Sequence, residues 1–579
     1  MSALDWWVLL LTQVGIVVYG LYAQRKTAGS EDYLRGRNMG WFTVGLSIMA
    51  TQASAITFLS APGLAYTEGM RFVQFYFGLP IAMVLIAALA VPLYYRMNVI
   101  TAYEYLEHRF DVRLRTLAAF LFLTQRGLAA GLTIFAPALI LSAVLHVDLN
   151  LTSLVIGAVV VGYTLTGGTT AVARTQKTQM AIILAAMFWS AWLVVDGLPD
   201  GVGIGEALDV AGAMGRMQAV DWRFDWNEKY TVWSGLLGGT FLMLSYFGTD
   251  QSQVQRYLGG QSIQQSRMGL IMNGLLKIPM QFGILLVGVL VFVFYLFQPA
   301  PLLFNTELRD QLVSGNAKVQ FLKLDAAHKK ALDERKMAAT AYLDARKTSM
   351  LHPLKPTGEQ IEAAAGALNH SQQKIDGLRS RAQALAKQEL PGSDSGDTNY
   401  IFLYYVFERL PAGIIGLIVS MILAASMSST SSELNALAAT TVVDIYKRLF
   451  RPNADDAECL RVSRWSTLAW GVYAILFSMM ARHLGTLIEA VNLLGSLVYG
   501  VILGVFLCAF LLKRITSGWV LVFALVNQGF ILLLYWTDAL PFLWFNLIGA
   551  LGILIPAALV DLWMRHSKGP QKMRTCSNV

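Results

Sequence analysis

The chain alternates about thirteen stretches of roughly twenty predominantly apolar residues with short polar connections, and twenty residues of helix is the length that crosses a bilayer. The spans fall near 5–23, 41–66, 72–96, 115–145, 150–167, 176–196, 231–258, 270–298, 408–446, 462–482, 486–512, 517–536 and 541–564. In hydrocarbon every backbone N–H and C=O must be satisfied inside the protein, and a helix does this within one segment. Of 579 residues, 55% are hydrophobic and 14% are charged, against roughly a quarter charged in a soluble domain. The expected fold class is an all-α polytopic membrane protein.

The charges then orient the spans. A net charge of +8 does not point to nucleic acid, because the basic residues are spread over short loops. Arg25–Arg37, Arg96–Arg115, Arg174–Lys177, Arg256–Arg267, Lys447–Arg464, Lys513–Arg514 and Arg565–Arg574 fall on alternate loops. The positive-inside rule places all of them in the cytoplasm. The N-terminus is then outside and the C-terminus cytoplasmic, in the plasma (inner) membrane. Asp5 precedes the first span and its basic residues follow it, the reverse of a cleavable signal. Cys459, Cys508 and Cys576 are not spaced as a metal or disulfide framework. The partners expected are the lipid bilayer and a small-molecule substrate, with no nucleic acid.

Residues 299–399 differ in kind, being rich in Lys, Ala, Glu and Gln. Asn316–Arg346 and Thr357–Leu390 each read as a helix, with Thr357 and Gln360 spaced as a capping box. This predicts a helical hairpin outside the membrane. It is either a surface for an extracytoplasmic partner or lid, or a tolerated insertion. The chain divides into an additional N-terminal helix (1–40), a first core part (41–298), the insertion (299–399), a second core part (400–512), and two further helices with a tail (513–579). Spans 41–196 and 231–512 form two groups of five, and the first helix of each is polar at mid-depth. Ser47, Thr51, Gln52, Ser54 and Thr57 mark one; Ser245, Tyr246, Thr249, Asp250, Gln251 and Gln253 mark the other. Inverted-repeat transporters are polar in corresponding places.

The run 424–435 carries six hydroxyls, Ser426, Ser428, Ser429, Thr430, Ser431 and Ser432, inside an apolar helix. A membrane helix has no wet face unless it lines a cavity or packs on a neighbour. Ala425, Ser428 and Ser429 share one face by i, i+3, i+4 spacing. Two hydroxyls and a carbonyl suit a small hard cation that prefers oxygen. Further oxygens require an unwound backbone, for which 50–54 is the candidate. Close packing by small residues remains open beside this reading.

Several stretches occurring in order are similar to the sodium:solute symporter family. They are Ser47–Leu59 (Ser-Ile-Met-Ala-Thr-Gln-Ala-Ser-Ala-Ile-Thr-Phe-Leu), Thr101–Asp111, Phe135–Leu139, Gly167–Val172, Gln253–Leu258 and the serine run ending Asp444-Ile-Tyr-Lys-Arg. The resemblance implies a LeuT-like five-plus-five inverted-repeat fold with one helix before the core and two after it. It implies Na⁺ as coupling ion, held by the carbonyls of Ala50, Ala53 and Ala425 and the hydroxyls of Ser428 and Ser429. Some members pair the same helix (here Ser428, Ser431, Ser432) with an aspartate for a second ion. This chain has Arg174-Thr175-Gln176 where Trp-Thr-Asp is usual, so coupling to one Na⁺ is expected.

The resemblance puts the substrate beside that sodium. Gln52, Ser54 and Thr57 are expected to face it, Phe72, Gln74 and Tyr76 to line the outer side, and Tyr246 to act as an aromatic gate. Arg126 lies deep in the apolar run 114–144, where an ionisable group is a functional-site hypothesis by default. Its planar fork suits a carboxylate. Either it faces the cavity, which makes the substrate an anion, or it snorkels to the surface. Glu433, one turn from Ser429, either guides Na⁺ or pairs with a basic loop residue. With no phosphate-binding loop or metal-hydrolase motif, the expectation is a transporter and not an enzyme. That transporter is a sodium-coupled symporter of a small organic solute (a sugar, sialic acid or carboxylate). A proton-coupled or uncoupled transporter of the same fold, or a membrane sensor, stays open.

Overall fold

The computed structural model describes residues 1–24, 39–145, 147–351, 358–390, 397–481 and 486–567. The basic loop Arg25–Arg37, the connector 352–357 with the expected cap at Thr357, and the tail with Cys576 lie outside the described residues. Among the described residues eight helices are long and apolar enough to cross a bilayer, with Ala3–Ile16 and Leu149–Leu165 as shorter apolar helices. The expectation of about thirteen counts more, partly because two of the expected spans are broken into pieces. Trp41–Gln52 has 12 residues and Gly239–Gly248 has 10, each short of the roughly twenty a single crossing takes.

Both breaks fall where the sequence is polar at mid-depth. The first broken helix stops at Gln52 and resumes at Ala55 to Glu68, with Ala53 (φ −83°, ψ 72°) outside the helical region. The Ser54 amide bonds to Gln52 O (3.0 Å), so it does not complete the helical bond to Ala50. The second broken helix stops at Gly248 and resumes at Gln251 to Leu258. Asp250 caps the second piece by accepting from the Ser252 amide. Neither break contains proline; glycine ends a helix at the second only. Side-chain hydroxyls and carboxylates re-satisfy the freed backbone, as a membrane interior demands.

The expected spans 150–167 and 176–196 belong to one helical run, Leu149–Asp196. Tyr163 and Thr175 hydrogen bond within it at 2.8 Å. Twelve residues of straight helix rise about 18 Å, so the contact sets Leu149–Leu165 and Thr175–Asp196 against each other as two limbs. Both limbs reach the serine helix, Ile414–Thr440: Thr164 from the first (to Ser431 Oγ, 3.1 Å) and Gln176 from the second (to Ser428 Oγ, 2.9 Å).

Close backbone contacts hold the long helix Ile263–Phe297 along both halves of the first broken helix. A Cβ on Gly269 would lie 3.0 Å from the Gly45 nitrogen, and one on Gly288 would lie 2.1 Å from the Pro62 carbonyl oxygen. The N-terminal helix Ala3–Gln24 caps the serine helix, because Asp5 Oδ1 accepts from the amides of Gly413 (2.6 Å) and Gly416 (3.0 Å).

The insertion forms the expected hairpin, Lys318–Leu351 against Gly358–Glu389. Arg335 ties it together and down, through Gln372 Oε1 (2.7 Å) and Tyr295 O (2.6 Å). Lys347 and Asn369 donate to the carbonyls of Gly201 and Ala213, so the hairpin sits on the segment after Asp196. The helix Ala102–Arg109 is salt-bridged. Glu107 pairs with Arg115 and Arg448, and Arg115 bridges on to Asp444 (2.8 Å).

Candidate functional site

The site begins at the first break. Ser428 Oγ donates to the Ala50 carbonyl (3.4 Å), and Ser429 Oγ donates to the Ala425 carbonyl (2.9 Å). Ala53, expected to add its carbonyl, sits in the break itself. Of the five expected sodium ligands, Ser428 and Ala50 are joined across the two helices, while Ser429 and Ala425 are joined within the serine helix. Each hydroxyl donates to a carbonyl, which leaves its lone pairs as the remaining bonding capacity. Hydroxyls and carbonyls are the oxygen donors a hard cation takes, and the break at Ala53 is the one non-helical backbone among these five residues.

The other hydroxyls of the run serve different neighbours. Ser426 donates to Thr133 O (2.7 Å) and Thr430 meets Thr133 Oγ1 (2.9 Å), both on the helix Val112–Leu145. Ser431 meets Thr164, and Ser432 meets Thr51 at 3.2 Å. The helix therefore packs on its neighbours through Ser426, Thr430, Ser431 and Ser432, while Ser428 meets the carbonyl of Ala50.

Beside the break lies a cavity of about 80 Å³, room for a solute of a few heavy atoms as it stands. Gln52, Ser54 and Thr57 line it from the first broken helix, Tyr76 from the following 3-10 turn, Arg126 from Val112–Leu145 and Tyr246 from the second broken helix. Phe72 and Gln74 are not on this wall. Phe72 is buried against Phe75, stacked at 5.3 Å, and against the edge of Tyr230. Gln74 is used up by backbone: its amide donates to Tyr230 O (2.9 Å) and its oxygen accepts from the Asp221 amide (2.9 Å). Of Gly69–Tyr76 only the C-terminal end, Phe75 and Tyr76, meets the cavity, while Phe72 and Gln74 hold the loop behind it.

Arg126 does not snorkel. It is 3% exposed and bonded to Asp250 and to the Tyr499 hydroxyl, while its Nη1 donates to Glu433 Oε1 (3.1 Å). Tyr246 lies under the guanidinium, ring centroid at 5.4 Å. Asp250, and Glu433, expected to guide Na⁺ or pair with a basic loop residue, both belong to this cluster. Tyr499 donates to Asp250 (2.8 Å) and completes it. The cluster draws on four separate helices, and no sequence spacing connects them. One signal was legible and unused: Lys277 interrupts the apolar run 270–298. Its Nζ is buried, makes no hydrogen bond, and lies 5.7 Å from the Tyr76 ring centroid.

The profile described as the sodium:solute symporter family matches residues 33–307 and 375–524, and the gap falls in the hairpin and the segment before it. The chain is 32% identical over 295 residues to the human sodium/iodide cotransporter, covering 50% of this chain and 44% of that one. It is 27% identical over 512 residues to sodium-coupled monocarboxylate transporter 1 of Xenopus laevis, covering 88% and 67%. The match therefore spans less than half the length of the iodide cotransporter and about two thirds of the monocarboxylate transporter. A solved structure described as the substrate-bound outward-open state of a Na⁺-coupled sialic acid symporter superposes with a TM-score of 0.72, at 22% identity over 97% of this chain and 98% of that one. At that identity the likeness speaks for the fold, the LeuT-like inverted repeat that the two broken helices express.

Proposed function

The chain belongs to the sodium:solute symporter family, and on that premise we propose that it carries a small organic anion, of monocarboxylate size, into the cell together with Na⁺. The observation that carries this reading is Arg126, a guanidinium buried on the cavity wall across from the break at Ala53. A planar fork in a dry site recognises carboxylate geometry, and relatives named for iodide and monocarboxylates are consistent with an anion. The cavity's small volume favours few-atom solutes.

Na⁺ enters first and joins the carbonyls of Ala50 and Ala53 to Ala425, Ser428 and Ser429. This holds the broken helix against the serine helix and sets Gln52, Ser54 and Thr57 toward the cavity. Substrate then meets Arg126 over Tyr246. The coupling is reciprocal, so substrate tightens Na⁺ binding by the factor with which Na⁺ tightens substrate. No bond is made or broken. In this reading the basic end around Arg115 and Arg448 faces the cytoplasm of the plasma (inner) membrane, the N-terminus lies outside, and the hairpin offers its exposed face to an extracytoplasmic partner.

A thermal-shift screen of the purified chain with small carboxylates, iodide, sialic acids and sugars tests this, each in NaCl and in choline chloride. Stabilisation by a carboxylate only when Na⁺ is present is expected. Equal stabilisation in choline overturns the coupling, and stabilisation by sugars alone overturns the anion.

A further inference from the structure

Arg256 is fully buried on the half-helix Gln251–Leu258, and its Nε, Nη1 and Nη2 make no hydrogen bond. Arg115 and Arg126, also buried, each hold two carboxylates. Among the described residues Arg256 holds none. A bare guanidinium inside a membrane protein is costly, because its charge and all its N–H donors have left water. Arginine does not shed its proton to escape that cost. A fold that keeps the group offsets the cost in another state, by bringing an anion to it.

The position of Arg256 says which anion. Tyr246 lies on the cavity wall under Arg126, and its hydroxyl accepts from Gln253 Nε2 at 2.6 Å. Gln253 is fully buried, and its Oε1 is unpartnered. Arg256 follows three residues later, on the same face and about 4.5 Å further along the axis. Gln255 Nε2 donates to Ser432 O (3.0 Å) and ties this half-helix to the serine helix. One turn beyond Ser432, Asn435 is buried with both of its side-chain polar atoms unpartnered. Arg126, Tyr246, Gln253 and Arg256 therefore lead from the cavity into the protein beyond the second break. The polar groups past Tyr246 stay dry and unsatisfied in this arrangement.

We propose that Arg256 is a second anion station behind Tyr246, to which the substrate carboxylate passes from Arg126 on its way out to the cytoplasm. Asp250 and Glu433 already compete for Arg126, whereas no carboxylate competes for Arg256. When Tyr246 swings aside, the anion moves to the guanidinium with the free fork, and the Asn435 amide is a further donor. Water entering the opened path then weakens that hold and lets the anion leave. This deepens the small-anion reading above and rests on it.

The test is Na⁺-driven uptake of radiolabelled lactate into right-side-out vesicles carrying the full chain, with and without lactate loaded inside. Arg256→Met removes the charge and the donors. Its external KM should stay within about twofold, because Arg256 lies behind Tyr246 when substrate binds from outside. Its maximal rate should fall about tenfold or more, and the internal lactate concentration that half-inhibits uptake should rise by a similar factor. Its thermal midpoint should not fall, because the variant removes an unpaired buried charge. Arg256→Lys keeps the charge and should recover the rate to within about threefold of the wild type. A raised external KM at an unchanged rate, an unchanged internal half-inhibition, or a lowered midpoint with both variants equally slow overturns the proposal and leaves the anion reading standing. A wild type that takes up neither lactate nor pyruvate, propionate or nicotinate in NaCl overturns the anion reading and this proposal with it.

Discussion

Glu433→Gln isolates the competition at the centre of the cavity. Glu433 Oε1 holds Arg126 Nη1 at 3.1 Å, and Thr133 Oγ1 donates to its other oxygen at 3.1 Å. Two unit charges at that distance attract by about 5 kcal/mol at an effective dielectric of about 20. A substrate carboxylate must draw one edge of the guanidinium away from this partner, and it also meets the Glu433 charge. Glutamine keeps the shape and one acceptor but removes the charge, and Asp250 still neutralises Arg126. Hydrogen bonds to charged groups net about 1.5–3 kcal/mol, so the competitor lost is of that order. At 1.4 kcal/mol per factor of ten, KM for a carboxylate substrate should fall about tenfold to a hundredfold, with a slower maximal rate as release becomes harder. The assay is Na⁺-driven uptake into proteoliposomes of the carboxylate found by thermal shift, with Arg126→Gln as the variant that should lose uptake. An unchanged or raised KM in Glu433→Gln would refute the idea that substrate and Glu433 share Arg126.

Ser428→Ala and Ser429→Ala each remove one oxygen from the expected sodium set, so the Na⁺ concentration for half-maximal uptake should rise about tenfold per hydroxyl; a shift in substrate KM at saturating Na⁺ instead would move these serines out of the ion site. Gln74→Ala strands the Asp221 amide and the Tyr230 carbonyl, so it should lower stability by about 2–4 kcal/mol and leave KM within twofold, read by thermal unfolding beside uptake. Burial, with Arg379 and Arg335 nearby, pushes the His328 imidazole in the hairpin down to about 4. The fold therefore holds it neutral while the unfolded chain takes up a proton near pH 6.5. Its contribution is complete above about pH 6.5 and is lost as pH falls toward 4, by up to about 3 kcal/mol. Hydrogen exchange of 318–389 should accelerate over that window, and His328→Gln should flatten the dependence.

The hairpin was legible because its composition changes abruptly and its helices are locally driven; the structure places them within a few residues of the sequence boundaries. The shared face of Ala425, Ser428 and Ser429 was legible because i, i+3, i+4 spacing is a property of one helix. The break at Ala53 was not, since 50–57 contains no glycine or proline; only the resemblance implied it. Phe72 and Gln74 fall off the cavity wall because they pack on or bond to Tyr230 and Asp221, partners that local composition does not reveal.

The amino-acid sequence alone determined that this chain lives in a membrane as helices, which segments are lipid-length, and which helix carries an oxygen-rich face. These are properties of composition and of single-helix periodicity, and they need no partner. Tertiary structure decided the rest. Arg126 was an isolated charge with two readings until packing brought Asp250, Glu433 and Tyr499 to it from three other helices. Gln176 was a missing carboxylate until its amide was seen among Thr51, Ser428 and Ser432. In a low-dielectric interior a polar group is defined by what neutralises it. Those partners lie 124 to 373 residues away in the chain, a separation across which sequence spacing carries no geometry.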